Sequence, residues 1–134
     1  MLVVAVGKAT KLLRFVEKTK KAYLGEIVLG VETNTLDADG EVTATHDMAG
    51  VTLEQAQAAV AEHLTGDIEQ IPPMVSAIKI DGKRLHELAR QGIEVERPPR
   101  PVTIHSFMLM PTDEAHVFLA AVECSPGTYV RTLA

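Results

Sequence analysis

The amino-acid pattern predicts an α+β fold built on a mixed, mostly antiparallel sheet with flanking helices. Three observations predict it. Residues 102–110 and 116–124 each read as a strand, and the polar, proline-containing connection 111–114 makes them a hairpin. Between Thr52 and Gly66 a helix carries both its start signal and its stop signal. Strand-like and helix-like stretches follow one another without the strict alternation of a parallel sheet.

Taken in order, residues 1–6 are a short apolar run that reads as a buried strand. A short helix follows over residues 9–17, with Leu12, Leu13 and Val16 on one face. Residues 21–30 read as a strand, with Leu24 and Val28 on one side and Tyr23, Ile27 and Leu29 on the other. Asp37-Ala38-Asp39-Gly40 is a turn signal. Thr52-Leu53-Glu54-Gln55 is a capping box, in which the Thr52 hydroxyl accepts from the Gln55 N–H and the Gln55 side chain reaches back. The helix it opens turns Leu53, Ala56, Val60 and Leu64 inward, and Gly66 suits its C-terminal stop. Pro72-Pro73 breaks the chain. Residues 77–80 read as a strand, Asp81-Gly82 as a turn, residues 83–91 as a helix ending at Gly92, and residues 94–101 as a proline-rich loop or edge. Ser125-Pro126-Gly127 turns the chain into residues 128–134, the first turns of a further helix. The chain begins inside a strand and stops inside a helix, so residues 1–134 are expected to be one partial domain cut at both ends.

The 134 residues suffice for one core, and 46% hydrophobic with 23% charged residues is an ordinary globular balance. No apolar run approaches the roughly 20 residues needed to span a membrane, so a cytoplasmic location is expected. Cys124 is the single cysteine; it excludes an internal disulfide and is expected to be a small buried apolar residue. With no CxxC, no HExxH and five scattered histidines, no metal site is expected. The net charge of −5 is unevenly spread. Six of the 13 basic residues lie between Lys8 and Lys21, six more between Lys79 and Arg100, while residues 22–77 hold ten acids and no Lys or Arg. Such segregation can give an acidic protein a basic stripe for phosphates, or two solvated faces that never meet.

Several segments, in order, carry a resemblance to one family. They are Gly7-Lys8-Ala9-Thr10-Lys11, Lys21-Ala22-Tyr23 leading to Leu29-Gly30, and Asp37-Ala38-Asp39-Gly40. Pro72-Pro73-Met74-Val75-Ser76-Ala77-Ile78-Lys79, Gly82-Lys83-Arg84 and Ala89-Arg90-Gln91-Gly92 come next. Arg97-Pro98-Pro99-Arg100-Pro101-Val102 and Gly127-Thr128-Tyr129-Val130-Arg131-Thr132-Leu133 complete the series. Together they resemble the TruB family of bacterial tRNA pseudouridine synthases, across essentially the whole chain. Two positions depart from the pattern: Val75 and His86 stand where the family often has tyrosine.

The resemblance implies a pseudouridine synthase catalytic-domain fold and the isomerisation of the T-loop uridine of tRNA. It implies no cofactor, no obligatory protein partner and a monomer, with the T-arm of tRNA as partner. The family's catalytic aspartate lies in a G-H-x-G-T-L-D-P motif just before the strand that begins here. None of the six aspartates, Asp37, Asp39, Asp47, Asp67, Asp81 and Asp113, sits in such a motif, and the chain alone is expected to be inactive. A tRNA-binding module, or a remnant without catalysis, is the alternative.

A base inside a folded RNA loop must be flipped out before it can react. The receiving pocket needs a carboxylate beside C1′, a cation to orient it, a flat surface for the base and basic groups for phosphates. Tyr23, by itself an ordinary core residue of an alternating strand, is by its motif the candidate flat surface, and its hydroxyl could help remove the C5 proton. Arg131 is the candidate partner of the family's aspartate, since a guanidinium fixes the direction of a carboxylate as well as its charge. The resemblance joins Arg131 in a network with Asp37 and Arg90, although an aspartate in a turn commonly serves local hydrogen bonds. Lys8, Lys11, Arg14, Lys20 and Lys21 form one group of phosphate-contact candidates, and Lys79, Lys83 and Arg84 the second.

Overall fold

A computed structural model describes residues 4–16, 19–80 and 82–134. Its centre is a four-stranded sheet in the order β1-β8-β7-β4, formed by β1 (Lys21–Val28), β4 (Gly66–Gln70), β7 (Arg100–Pro111) and β8 (Val117–Cys124). Every neighbouring pair is antiparallel. Two short hairpins stand apart from it: β2 (Val31–Thr33) with β3 (Val42–Thr45), and β5 (Lys79–Ile80) with β6 (Lys83–Arg84). The helices are α1 (Leu13–Val16), α2 (Leu53–His63) and α3 (Leu85–Ala89). The α+β class with a mostly antiparallel sheet is therefore what the chain adopts.

One face of the sheet carries the core. In β8 the even positions Phe118, Ala120, Val122 and Cys124 are buried, as period-two alternation requires. In β7 the inward positions are Val102 and Ile104, and then Phe107. The shift from even to odd follows from an irregularity between Ile104 and Ser106, where one extra residue re-phases the strand. β1 sets Tyr23, Gly25 and Ile27 opposite Val122, Ala120 and Phe118, so these three share the core face. Leu24 and Val28 point to the other face and are exposed. α2 covers the core face through Val60 and Leu64, and Leu133 closes it from the C-terminal side.

α2 begins as its sequence requires. The Gln55 N–H donates to Thr52 Oγ1 at 3.3 Å, and the Thr52 N–H donates to Gln55 Oε1 at 3.0 Å. Gly66 takes φ +89, a left-handed conformation open to glycine, just beyond the helix. One side chain of α2 also serves the sheet. Gln57 donates from Nε2 to Phe107 O at 3.1 Å and accepts from the Leu109 N–H at 2.7 Å, so its carboxamide stands in for a neighbouring strand on β7.

Several expectations need correction. Val4 to Val6 are not in a strand, and residues 1–3 lie outside the described residues. The helix expected over residues 9–17 is a 3-10 stretch over Gly7–Leu12 followed by the four residues of α1, with no buried side chain; Glu17 lies outside the described residues. With nothing to bury against, its apolar positions give it no tertiary support. The helix over 83–91 shortens to α3, because Lys83 and Arg84 pair with Ile80 and Lys79 instead. Residues 128–134 form a single 3-10 turn, Val130–Thr132. β4, β2 and β3 are strands beyond those expected.

Candidate functional site

The site sits at the β1 end of the core face. A cavity of about 270 Å³ is lined by Tyr23 and Ile27 from β1, Ala120 and Val122 from β8, and Leu36, Asp37 and Arg131 from loops. Tyr23 is 46% exposed although it lies on the face of the sheet that carries the core. Its ring is thus available at the cavity wall. A larger cavity of about 530 Å³ lies between α2 and the sheet, but its lining has no ionisable side chain. The polar chemistry belongs to the smaller one.

Arg131, in the 3-10 turn after β8, ties three segments together. Its Nη1 donates to Asp37 Oδ2 at 2.8 Å and to Thr35 O at 3.2 Å; its Nη2 donates to Val75 O at 2.7 Å. A guanidinium has five N–H donors. Among the described residues these three bonds leave the Nε–H and one Nη2–H without a partner. The pair is half-buried, with side-chain exposures of 29% for Arg131 and 40% for Asp37.

The β2–β3 connection presents the carboxylate. Thr35 Oγ1 donates to Asp37 Oδ1 at 2.7 Å, and the Asp39 N–H donates to the same oxygen at 3.2 Å. Thr33 Oγ1 donates to Asp37 O at 2.8 Å and accepts from the Asp37 N–H at 3.1 Å. Asp37 therefore serves the local turn and the distant arginine together. Leu36, just before it, has φ 58, a left-handed conformation that costs a branched residue on the order of 1–3 kcal/mol.

These contacts hold the Asp37 carboxyl below the ordinary aspartate range, through the Thr35 hydrogen bond first, then the Asp39 N–H and the Arg131 charge. A depressed carboxylate stabilises the fold above its unfolded-state pKa, and loses that contribution as pH falls through the lower folded value. Melting curves of the wild type and Asp37→Asn should therefore differ at neutral pH and converge only below the usual aspartate range. Convergence already near pH 5 would contradict this assignment.

Of the expected site residues, the structure brings Tyr23, Asp37 and Arg131 to one cavity. It does not bring Arg90 to them. Arg90 follows α3, is exposed, and among the described residues makes no side-chain hydrogen bond or ion pair to either partner. α3 is anchored by Leu85 N–H to Ile78 O at 2.8 Å and by His86 Nδ1 against Ser76 O at 3.0 Å, and this docking leaves Arg90 at the solvent side. Lys8, Lys11 and Arg14 lie on the exposed N-terminal helical segment, and Lys20 is exposed before β1. Lys21, at the start of β1, is half-buried and reaches Val16 O at 3.4 Å. Lys79, Lys83 and Arg84 are exposed on the β5–β6 hairpin. Thr35, Leu36 and the Val75 carbonyl were not anticipated. The Thr-x-Asp spacing is a local turn signal that could have found Thr35; a backbone carbonyl and a strained leucine leave none.

The family model for TruB family pseudouridylate synthase (N terminal domain) matches residues 1–130. The chain belongs to the TruB family. Curated relatives agree with that membership. A tRNA pseudouridine synthase B from Listeria innocua is 47% identical over 139 residues, covering 100% of this chain and 45% of the relative. A protein of the same name from Bacillus cereus is 48% identical, with 100% and 45% covered. One from Geobacillus thermodenitrificans is 48% identical, with 100% and 46% covered. The chain thus spans less than half the length of the TruB relatives it matches. Among the described residues no helix is long and apolar enough to cross a membrane.

Proposed function

We propose that the whole protein is a cytoplasmic tRNA pseudouridine synthase acting on the T-loop uridine, and that this chain supplies the base pocket. One observation carries the reading: Arg131, its direction fixed by Asp37, Thr35 and Val75, presents two N–H donors that have no partner among the described residues, beside a cavity walled by Tyr23. A carboxylate brought to those donors would be held by charge-assisted hydrogen bonds in a fixed direction. In the isomerisation the C1′–N1 bond breaks and a C1′–C5 bond forms. The C5 proton leaves and N1 takes one up, so there is no net oxidation. Tyr23 would stack on the flipped uracil, worth about 1–3 kcal/mol per base. The lysines and arginines of the N-terminal segment and the β5–β6 hairpin would meet phosphates, and binding through them weakens as salt rises. The names of the curated relatives support the same substrate class.

The test is nucleoside chromatography of a digested T-arm RNA after incubation with the whole protein. Pseudouridine is expected from the whole protein and none from the isolated 134-residue chain, which lacks an aspartate in a G-T-L-D-P setting. Salt-sensitive tRNA binding by the whole protein without any conversion would replace this reading by a binding module.

A further inference from the structure

Gln70 is one of two polar side chains in the buried set, at 6% exposure, and it ends β4. Both ends of its carboxamide are used on one residue. Nε2 donates to Tyr129 O at 2.9 Å, and Oε1 accepts from the Tyr129 N–H at 2.8 Å. A primary carboxamide presents a donor and an acceptor on the same side, so it closes on the N–H and C=O of a single residue, as the facing residue does in a hydrogen-bonded pair of an antiparallel ladder, here across 59 residues of chain. Tyr129 immediately precedes the 3-10 turn that carries Arg131. On the other side, the segment that follows Gln70 supplies the Val75 carbonyl that receives Arg131 Nη2. The two segments are therefore joined at two points, and the first sets the phase of the second.

We infer that Gln70 is a positioning residue for Arg131: its two bonds to Tyr129 fix where the guanidinium stands, and through it the carboxylate that does the chemistry. The inference rests on the proposed function. At neutral pH no other side chain of this length and shape offers both groups on one side. Glutamate has no donor and sets a charge against Tyr129 O; leucine leaves the part-buried N–H and C=O of Tyr129 without these bonds.

The experiment measures isomerisation kinetics of the whole protein with Gln70→Glu and Gln70→Leu, alone and combined with Arg131→Lys. Gln70→Leu is expected to lower kcat by about 10- to 100-fold, the scale of a misplaced reacting group, with KM for tRNA nearly unchanged. In the Arg131→Lys background it should add almost nothing, because the two residues act as one unit. Gln70→Glu should recover towards wild type as pH falls, since a buried carboxyl protonates readily and then again offers one donor and one acceptor. Losses that simply multiply in the double variant, or an unchanged kcat in both single variants, would overturn the inference while leaving the function intact. If Gln70→Leu does not fold, the pH recovery of Gln70→Glu decides, and its absence also overturns it. A wild-type protein without isomerase activity sinks the proposed function and this inference together.

Discussion

Arg131→Lys in the whole protein is expected to cut kcat for uridine isomerisation by about 100-fold or more, the scale of removing one well-placed electrostatic donor. Lysine keeps the charge, but not the fork. The guanidinium reaches Asp37 Oδ2 and Thr35 O from one nitrogen and Val75 O from the other, and among the described residues it still has two donors to offer. An ammonium has three donors in all, so holding the same three acceptors leaves none for a substrate-side carboxylate. KM for tRNA should move far less than kcat, because the proposed phosphate contacts lie elsewhere on the chain. A fall confined to KM would mean that Arg131 binds RNA and does not orient the reacting group.

Gly40→Ala should damage both stability and rate, with a smaller effect on kcat than Arg131→Lys, although Gly40 touches no ligand in this scheme. A Cβ at position 40 would collide with Thr35 Oγ1 and lie 2.8 Å from Thr33 Cβ and 2.9 Å from Asn34 Oδ1. Thr33 and Thr35 are the side chains that hold Asp37 in place, and Asn34 Oδ1 accepts from the Glu41 N–H at 3.1 Å. Overpacking of this kind typically costs about 1–3 kcal/mol. Calorimetry should register a lower Tm, and kcat should fall about 10-fold as Asp37 loses its grip on Arg131. Unchanged values of both would show that the loop can open without cost to the site.

Local signals were legible and distant ones were not. The Thr52–Gln55 capping box is complete within four residues, and it forms as its chemistry dictates. The β7–β8 hairpin announced itself through long alternation and a polar connection. β4 was hidden because Gly66 reads as a helix stop, and the five residues Gly66–Gln70 contain a single apolar side chain, Ile68. β2 and β3 are short and largely exposed, so they carry little hydrophobic pattern. At the site, the family motifs pointed to Tyr23, Asp37 and Arg131, but no spacing rule joins residues 94 positions apart. The same motifs suggested Arg90, and the docking of α3 turns it away. Gln70 has no sequence signature, because its partner is a backbone group 59 residues later.

The reach of Arg131 also bears on how the protein is made. Among the described residues no hydrogen bond joins the Thr33–Gly40 loop directly to the Pro72–Ser76 segment; the guanidinium is their polar joint. A ribosome adding about 5–20 residues per second delivers Arg131 several seconds after Asp37. By the end of that interval the nascent chain has β1 and both loops, but not the guanidinium that bonds to both loops. The cavity lined by Tyr23, Asp37 and Arg131 thus gains its polar joint only when the last of these three residues has been synthesised.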